Sequence, residues 1–177
     1  MAQLVVAHGP CAIPVRELLP FKTLVTSIIG QQLSAKAADT IERRVLDIVP
    51  SFTPDRFLAV PLDALRGAGL SSAKARYIIE LAQRVSDGRL NFHDLEAMSD
   101  KDVIATLVQL PGIGRWTAEM FLIFGLRRPD VLALGDAGLQ RAVRLLYGEK
   151  ATLDSVGELW RPYQSVASWY LWRHLDA

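Results

Sequence analysis

The fold of this chain is decided by residues 110–119, which read LPGIGRWTAE. Two glycines bracket one apolar residue, one apolar helical pattern ends just before them, and another begins just after them. Gly112 and Gly114 can take positive φ angles, and because they lack a Cβ another backbone can come close. Ile113 can tuck between the two helices and fix their angle. The stretch therefore predicts two helices joined by a tight hairpin.

The second helix of this hairpin begins directly after Gly114 and should present backbone N–H groups that have no partner within the helix. Such groups, together with the positive end of the helix dipole, bind anions, and a DNA phosphate is a natural ligand. Arg115 and Thr117 could add contacts. A Gly-x-Gly pattern more often forms a corner between packed helices that binds nothing, and the two glycines alone favour that interpretation.

Helical periodicity continues on both sides of the hairpin. In segment 75–85 apolar residues recur at helical spacing, while Lys74 and Arg76 belong to the polar face. Ser71 or Ser72 suits the N-cap of this helix, and Gly88 suits its C-terminal end. Comparable helices are predicted over about residues 20–31, 34–49, 100–109, 114–126, 137–147 and 161–175.

These segments give about eight helices with short connectors, which predicts the all-α class. Only residues 3–7 and 131–134 have any strand character, too little for a sheet. No linker divides the chain. We therefore expect one helical domain over residues 1–177, with the hairpin at about 103–126.

Composition excludes several classes of protein. The only cysteine, Cys11, rules out an internal disulfide and an iron-sulfur cluster held by four thiolates of this chain. The apolar stretches fall short of the ~20 residues that a membrane span needs, and no signal peptide is evident. A cytoplasmic protein is expected, associated with the nucleoid in a bacterium. The net charge of +1 does not by itself suggest a nucleic acid partner.

Residues 110–119 closely resemble the helix-hairpin-helix of the DNA glycosylase superfamily, and specifically its 3-methyladenine DNA glycosylase II branch. The resemblance extends over about residues 17–175. Several ordered motifs at family-like separations are more specific than one pair of glycines. The further matching motifs are Pro20-Phe21, IIGQQLS at residues 28–34, Gly135-Asp136, Arg161-Pro162-Tyr163, Ala167 and Trp172.

The resemblance assigns the catalytic carboxylate to Asp136. From the residues alone an aspartate that precedes an apolar-periodic segment is usually an N-cap, and the two roles can coexist because capping also holds the group still. Cleavage of an N-glycosidic bond builds positive charge on the deoxyribose. An ionised Asp136 would stabilise this charge and orient or deprotonate the attacking water.

The resemblance also predicts that the enzyme does not cut the DNA strand. Bifunctional relatives carry a nucleophilic lysine in the hairpin, and Trp116 stands at that position here. Without an amine no Schiff base can form, so the product should be an intact strand with an abasic site. Lys74 and Lys101 stand elsewhere in the chain, and nothing in their sequence context suggests a catalytic amine.

A glycosylase must rotate its target nucleotide out of the duplex into a pocket. Trp116 and Trp172 match family positions that line this pocket, and Met120 stands where relatives often have an aromatic residue. Indole faces attract a positively charged alkylpurine by ~0.5–2 kcal/mol. Tryptophans at helical spacing are also typical core residues, which is the favoured interpretation for Trp160 and Trp169, whereas Trp172 fits both equally.

The resemblance places the side chain that fills the gap of the flipped base at Gln32, with Gln31 contacting DNA nearby. Leu33 is a second candidate for the gap, although a buried leucine packing the base of the hairpin is the more ordinary interpretation. Loop glutamines are usually just solvated, so the role of Gln32 depends on the resemblance.

No cofactor is expected to take part in the chemistry. His8, His93 and His174 are scattered, without the spacing of zinc ligands. In the superfamily the hairpin holds a sodium or potassium ion through main-chain carbonyls that would bridge to a phosphate. The matching positions here are Val108, Leu110 and Ile113.

The expected partner is double-stranded DNA that contains alkylated bases, bound by a monomer. Longer family members carry an N-terminal β-rich domain, whereas only residues 1–19 precede the first matching helix here. The sequence does not decide among alkylpurines, etheno adducts and hypoxanthine. Three rival interpretations are a non-catalytic DNA-binding module, a glycosylase for oxidised or mismatched bases, and a structural all-α adaptor.

Overall fold

The computed structural model describes residues 1–13 and 19–176, and within these ranges it contains twelve α-helices and no strand. The predicted all-α class is confirmed. A π-helical turn, Phe121–Gly125, and a 3₁₀ turn, Glu158–Trp160, complete the helical structure. The helices are α1 Ala2–His8, α2 Pro20–Gly30, α3 Ala35–Ile48, α4 Pro54–Leu58, α5 Leu62–Gly67, α6 Ser72–Ser86, α7 Phe92–Ala97, α8 Asp100–Leu107, α9 Arg115–Met120, α10 Ala137–Tyr147, α11 Leu153–Gly157 and α12 Gln164–Asp176.

The structure contains more helices than the eight predicted because several are very short. Helices α4, α5, α7 and α11 have five or six residues, fewer than two turns, so no apolar period can repeat within them. The strand-like segment 3–7 is helical in α1, where Leu4 is buried and the helix packs against α12. Tertiary packing there outweighs the weak strand preference of two valines.

Two predicted helix boundaries are wrong for physical reasons. The helix expected over 114–126 ends at Met120 and continues as the π-helical turn, where the hydrogen-bond pattern widens. The helix expected from residue 161 begins at Gln164. Arg161 is extended, with ψ 139°, because a residue that precedes a proline is disfavoured in the helical conformation.

The chain divides into two compact units, and the second of them comprises residues 19–121. Helix α6 lies at its centre and packs against α2, α4 and α5. Ser71 caps α6 by accepting the backbone N–H of Lys74, and Gly88 follows its end with φ 78°, as predicted. Phe57 of α4 is fully buried and makes T-shaped contacts with Phe21 and Phe52. These aromatic rings form an apolar cluster, and the helices α2 and α4 that carry two of them pack against α6.

The first unit comprises residues 1–18 and 122–177, of which 1–13 and 122–176 are described. Helix α12 packs against α10 and α1. The Tyr170 hydroxyl donates a hydrogen bond of 2.8 Å to the carbonyl oxygen of Gly9 and so fastens the end of α1. Leu139 and Leu171 are fully buried in this unit, and Trp160 is buried as predicted for a core tryptophan. Among the described helices, none combines the length and the hydropathy needed to cross a membrane.

The predicted hairpin forms between α8 and α9. Gly112 has φ 80°, the left-handed conformation that glycine adopts without strain, and a Cβ at this position would overlap the ring of Tyr77. Gly114 is extended, with φ −91° and ψ 175°, and serves as the N-cap of α9. Ile113 is buried between them. Only the first of the two glycines is therefore required by the backbone of the turn.

We expect Gly112→Ala to lower the free energy of unfolding by more than ~1–2 kcal/mol, because the left-handed conformation alone costs that much and the ring of Tyr77 must also move. Gly114→Ala is the matched control, since a Cβ there meets no atom within 4 Å. Its effect should be smaller, about 0.5–1 kcal/mol, because this variant loses only the preference of the N-cap position for glycine over alanine. Urea unfolding monitored by circular dichroism measures both variants. Equal losses in the two variants would contradict this account of the turn.

Candidate functional site

The Asp136 carboxylate is held by hydrogen bonds from two helices. Asp136 is the N-cap of α10, and its Oδ1 accepts the backbone N–H of Leu139 at 2.8 Å. The indole N–H of Trp172, in α12, donates to the same oxygen at 3.2 Å. Asp136 is only 7% exposed. Backbone and side-chain donors therefore fix the orientation of this carboxylate, and the capping role that the sequence allowed is present.

The space around this carboxylate depends on Gly138. A Cβ on Gly138 would lie 3.0 Å from Oδ1 of Asp136 and 3.6 Å from Cδ1 of Trp172. The ring of Trp172 also contacts Phe124, with centroids 5.8 Å apart. Sequence analysis missed both Gly138 and the bond between Trp172 and Asp136. The only signal was the small residue two positions after the aspartate, because a contact across 36 residues leaves no local pattern.

In the second unit, residues 31–33 form the loop between α2 and α3, named here the 31–33 loop. Gln32 has φ 58°, a left-handed conformation that is rare for a residue with a side chain, and it is exposed. Leu33 is 38% exposed, so the prediction that it packs the base of the hairpin is wrong. The side-chain amide of Gln31 donates a 2.8 Å hydrogen bond to the carbonyl oxygen of Gly112. This bond ties the 31–33 loop to the hairpin.

The residues that follow Gly114 differ in what they present to solvent. The Arg115 side chain is 76% exposed, and its Nε donates at 2.8 Å to the carboxylate of Glu119, whose side chain is only 6% exposed. This buried carboxylate orients the guanidinium and was missed by sequence analysis. Thr117 is buried, at 4% exposure, and its contact with a phosphate stays a prediction. Its position in the first turn of α9 turns its side chain toward the core.

The predicted pocket residues have different surroundings. Trp116 is 44% exposed and Met120 is buried, both in the second unit. Trp172 is half-buried in the first unit. Trp169, expected in the core, is also half-buried and packs edge-on against Tyr170, with centroids 4.9 Å apart. The pocket role of the first three residues stays a prediction.

The three carbonyl positions predicted to hold a monovalent cation lie in the turn that follows α8. The carbonyl oxygen of Leu110 accepts the backbone N–H of Ile113 at 3.1 Å. A carbonyl oxygen has a second lone pair, so this bond leaves it able to bind a cation. Val108 and Ile113 would supply oxygens of the same hard type, which suits an alkali-metal ion.

Residues 25–162 match the family described as HhH-GPD superfamily base excision DNA repair protein. A relative from Bacillus subtilis is 32% identical over 169 residues, which is 88% of this chain. The chain spans 59% of the length of that relative. The match therefore covers nearly all of this chain but only part of the longer protein.

Two solved structures are similar over nearly the whole chain. A DNA-3-methyladenine glycosidase from Bacillus halodurans is 40% identical, with a TM-score of 0.77 over 96% of this chain and 86% of that one. A 3-methyladenine DNA glycosylase from Schizosaccharomyces pombe, solved in complex with abasic DNA, is 28% identical, with a TM-score of 0.84 over 99% and 91%. The chain therefore belongs to the HhH-GPD superfamily of base excision DNA repair proteins, in its branch of 3-methyladenine DNA glycosylases.

Proposed function

We propose that this protein is a monofunctional DNA glycosylase that hydrolyses the N-glycosidic bond of alkylated purines in duplex DNA and leaves an abasic site. The observation that carries the proposal is the Asp136 carboxylate, largely buried and held by the N–H groups of Leu139 and Trp172. Membership of the 3-methyladenine branch supports the choice of substrate. The N-cap of α10 needs only the bond from Leu139, and the second bond, from Trp172, goes beyond what a cap in a non-catalytic module requires.

Asp136 acts on the sugar as the base departs. The bond between C1′ and the purine nitrogen breaks, the electron pair leaves with the base, and positive charge develops on the deoxyribose. A carboxylate that is already oriented stabilises this charge without reorganisation during the step. The same group accepts a proton from the water that attacks C1′. An alkylated purine is a good leaving group because it carries positive charge, so a pocket that discriminates weakly still acts mainly on damaged bases.

The chain lacks the amine that strand scission would need in the hairpin. Trp116 occupies that position, so no Schiff base forms with C1′ of the sugar. Lys74 is bound through its Nζ to two backbone carbonyl oxygens. Water attacks C1′ instead, the base is released, and the product is an intact strand with an abasic site.

The hairpin and the 31–33 loop of the second unit bind the DNA backbone and fill the strand gap. The exposed guanidinium of Arg115 meets a phosphate, and the main chain at Gly112 and Gly114 contacts the DNA backbone, with room at Gly114, where a Cβ would meet no atom within 4 Å. Thr117 is buried, so any contact that it makes with a phosphate is through its backbone N–H in the first turn of α9. A sodium or potassium ion on the carbonyl oxygens of Val108, Leu110 and Ile113 would add a bridge to a phosphate. The protein acts as a monomer.

Asp136→Asn should abolish catalysis while the protein still folds and binds DNA. An amide keeps an oxygen that can cap α10 but removes the charge that stabilises the sugar cation, so we expect a loss of at least about 100-fold. Single-turnover release of 7-methylguanine and 3-methyladenine from methylated duplex DNA measures it. Asp154→Asn, at an exposed aspartate in the first turn of α11, is the control. Wild-type rates in Asp136→Asn would refute the assignment.

Trp172→Phe should lower the rate of base release by at least about tenfold, because it deletes one hydrogen bond to a charged carboxylate and keeps an aromatic ring. The loss should appear in the single-turnover rate constant, with little change in the Kd for undamaged duplex DNA. Trp169→Phe, in the same helix and without a bond to Asp136, provides the comparison. A variant that matches the native rate would show that this bond does not position the carboxylate.

Sodium borohydride should trap no covalent complex between the protein and methylated DNA, since no hairpin amine is present to form a Schiff base. Reaction products resolved before alkali treatment should be unbroken strands, and strand breaks should appear only after alkali. A glycosylase with a hairpin lysine serves as the positive control for trapping. A trapped complex that contains this protein would overturn the monofunctional mechanism.

A further inference from the structure

The ammonium group of Lys74 is bound at the end of another helix. Lys74 lies in the first turn of α6, where the amphipathic pattern places it on the polar face, yet it is only partly exposed. Its Nζ donates to the carbonyl oxygens of Ile29 at 2.9 Å and Gln31 at 2.6 Å. Both carbonyls belong to the C-terminal end of α2, where the helix dipole is negative and backbone acceptors lack partners within the helix.

The carbonyls that Lys74 binds flank the start of the 31–33 loop. Gln32, the next residue, has φ 58°, and a left-handed conformation costs a residue with a side chain ~1–2 kcal/mol. Such a conformation persists only where its surroundings fix it. Here Lys74 holds the main chain of Gln31, and the Gln31 amide holds the carbonyl oxygen of Gly112. Residue 31 is therefore anchored through both its backbone and its side chain.

The same face of α6 also supports the hairpin. Tyr77 follows Lys74 by three residues, so the two side chains are neighbours on the helix surface. The ring of Tyr77 occupies the space that a Cβ on Gly112 would need. One turn of α6 thus carries the group that fixes the 31–33 loop and the group that fixes the hairpin. Together with the bond from Gln31 to Gly112, these contacts make one connected support.

A partly buried ammonium group such as that of Lys74 is costly unless specific interactions stabilise it. Burial lowers the pKa of the Lys74 ammonium from its ordinary value, which means that part of its hydration is lost in the folded protein. The two carbonyl bonds compensate for that loss, and a neutral side chain of similar length would fill the space without holding the loop. The positive charge of Lys74 therefore serves to fix the position of the backbone at the end of α2.

We propose that Lys74 is a positioning residue that fixes the 31–33 loop so that Gln32 enters the gap left by an extruded nucleotide. The proposal depends on the proposed function only in that the protein opens duplex DNA. The geometry of Lys74 with Ile29, Gln31 and Gly112 carries it, and no contact between Lys74 and DNA is invoked. Lys74 acts through the 31–33 loop.

The test is the response of DNA to binding, which does not require base release. The native protein is titrated into a duplex that has an abasic site opposite 2-aminopurine, whose fluorescence rises when it is unstacked. Lys74→Met should lose most of this rise at saturating protein. Arg76→Met is the matched control, because it removes one positive charge from an exposed position of the same helix turn. It should keep the full rise.

A second measurement separates positioning from general damage. Single-turnover release of 7-methylguanine should fall about tenfold or more in Lys74→Met on fully paired duplex, where the support must help to unstack the base. It should fall much less on single-stranded DNA, where unstacking is already done. Lys74→Arg, which keeps two donors and the charge, should recover part of both signals. If Lys74→Met does not fold, Lys74→Gln replaces it, with thermal unfolding measured for each variant.

The outcomes are distinct. The positioning role would be overturned if Lys74→Met kept the full fluorescence rise, or if Arg76→Met lost as much of it as Lys74→Met. It would also be overturned if Lys74→Met lost equal rates of base release on paired and single-stranded DNA. A native protein that leaves 2-aminopurine stacked would overturn it as well. A fluorescence rise that depends on Lys74 in a protein that releases no base would support the role and refute the proposed glycosylase activity.

Discussion

One oxygen atom, Oδ1 of Asp136, accepts hydrogen bonds from two helices that meet at the candidate active site. The bond from Leu139 begins α10, and the bond from Trp172 joins α10 to α12. Helix capping and the proposed catalysis therefore use the same group. This arrangement gives the carboxylate a fixed direction before substrate arrives, which is the condition for electrostatic stabilisation of a sugar cation. The cap needs only an oxygen that accepts a hydrogen bond, whereas the proposed chemistry needs the negative charge.

Much of this architecture could be predicted from sequence because it depends on local patterns. The helical class, the hairpin at Gly112 and the start and end of α6 all follow from periodicity and from residues that prefer helix ends. Asp136 could be identified as a helix cap in the same way, whereas the catalytic role proposed for it depends on the resemblance to glycosylases. Short helices such as α4 and α11 could not be predicted, since five residues do not show a period.

The rest of the site depends on contacts between residues that are far apart in the chain. The sequence pattern predicts that Lys74 is solvated on the polar face of α6, but its Nζ donates to the carbonyl oxygens of Ile29 and Gln31, which are 45 and 43 residues away in the chain. A glutamine in a loop is usually solvated, but the Gln31 amide is bound to the hairpin, and the DNA contact that the resemblance implies for Gln31 stays a prediction. Thr117 reads as a phosphate ligand, but it is buried. In each case the residue type indicates which interactions the side chain can make. The packing of helices that are distant in the chain decides which of these interactions forms.

The net charge of +1 is a poor guide to DNA binding because the cations of this chain have different tasks. Arg84, Arg89 and Arg161 form ion pairs with acidic neighbours, and Lys74 is used on backbone carbonyls. Arg115 also pairs with a carboxylate, that of Glu119, but this carboxylate is buried and the guanidinium lies at the surface in the turn of helix that follows the hairpin glycines. A few oriented donors at a turn that lets a phosphate approach can grip DNA without a broad basic surface. In the proposed reaction the rate of base release also depends on an activated leaving group. Such a protein therefore needs an accurately placed loop at the strand gap more than high affinity for DNA. In our proposal α6 places this loop, through Lys74 at the 31–33 loop and Tyr77 at the hairpin.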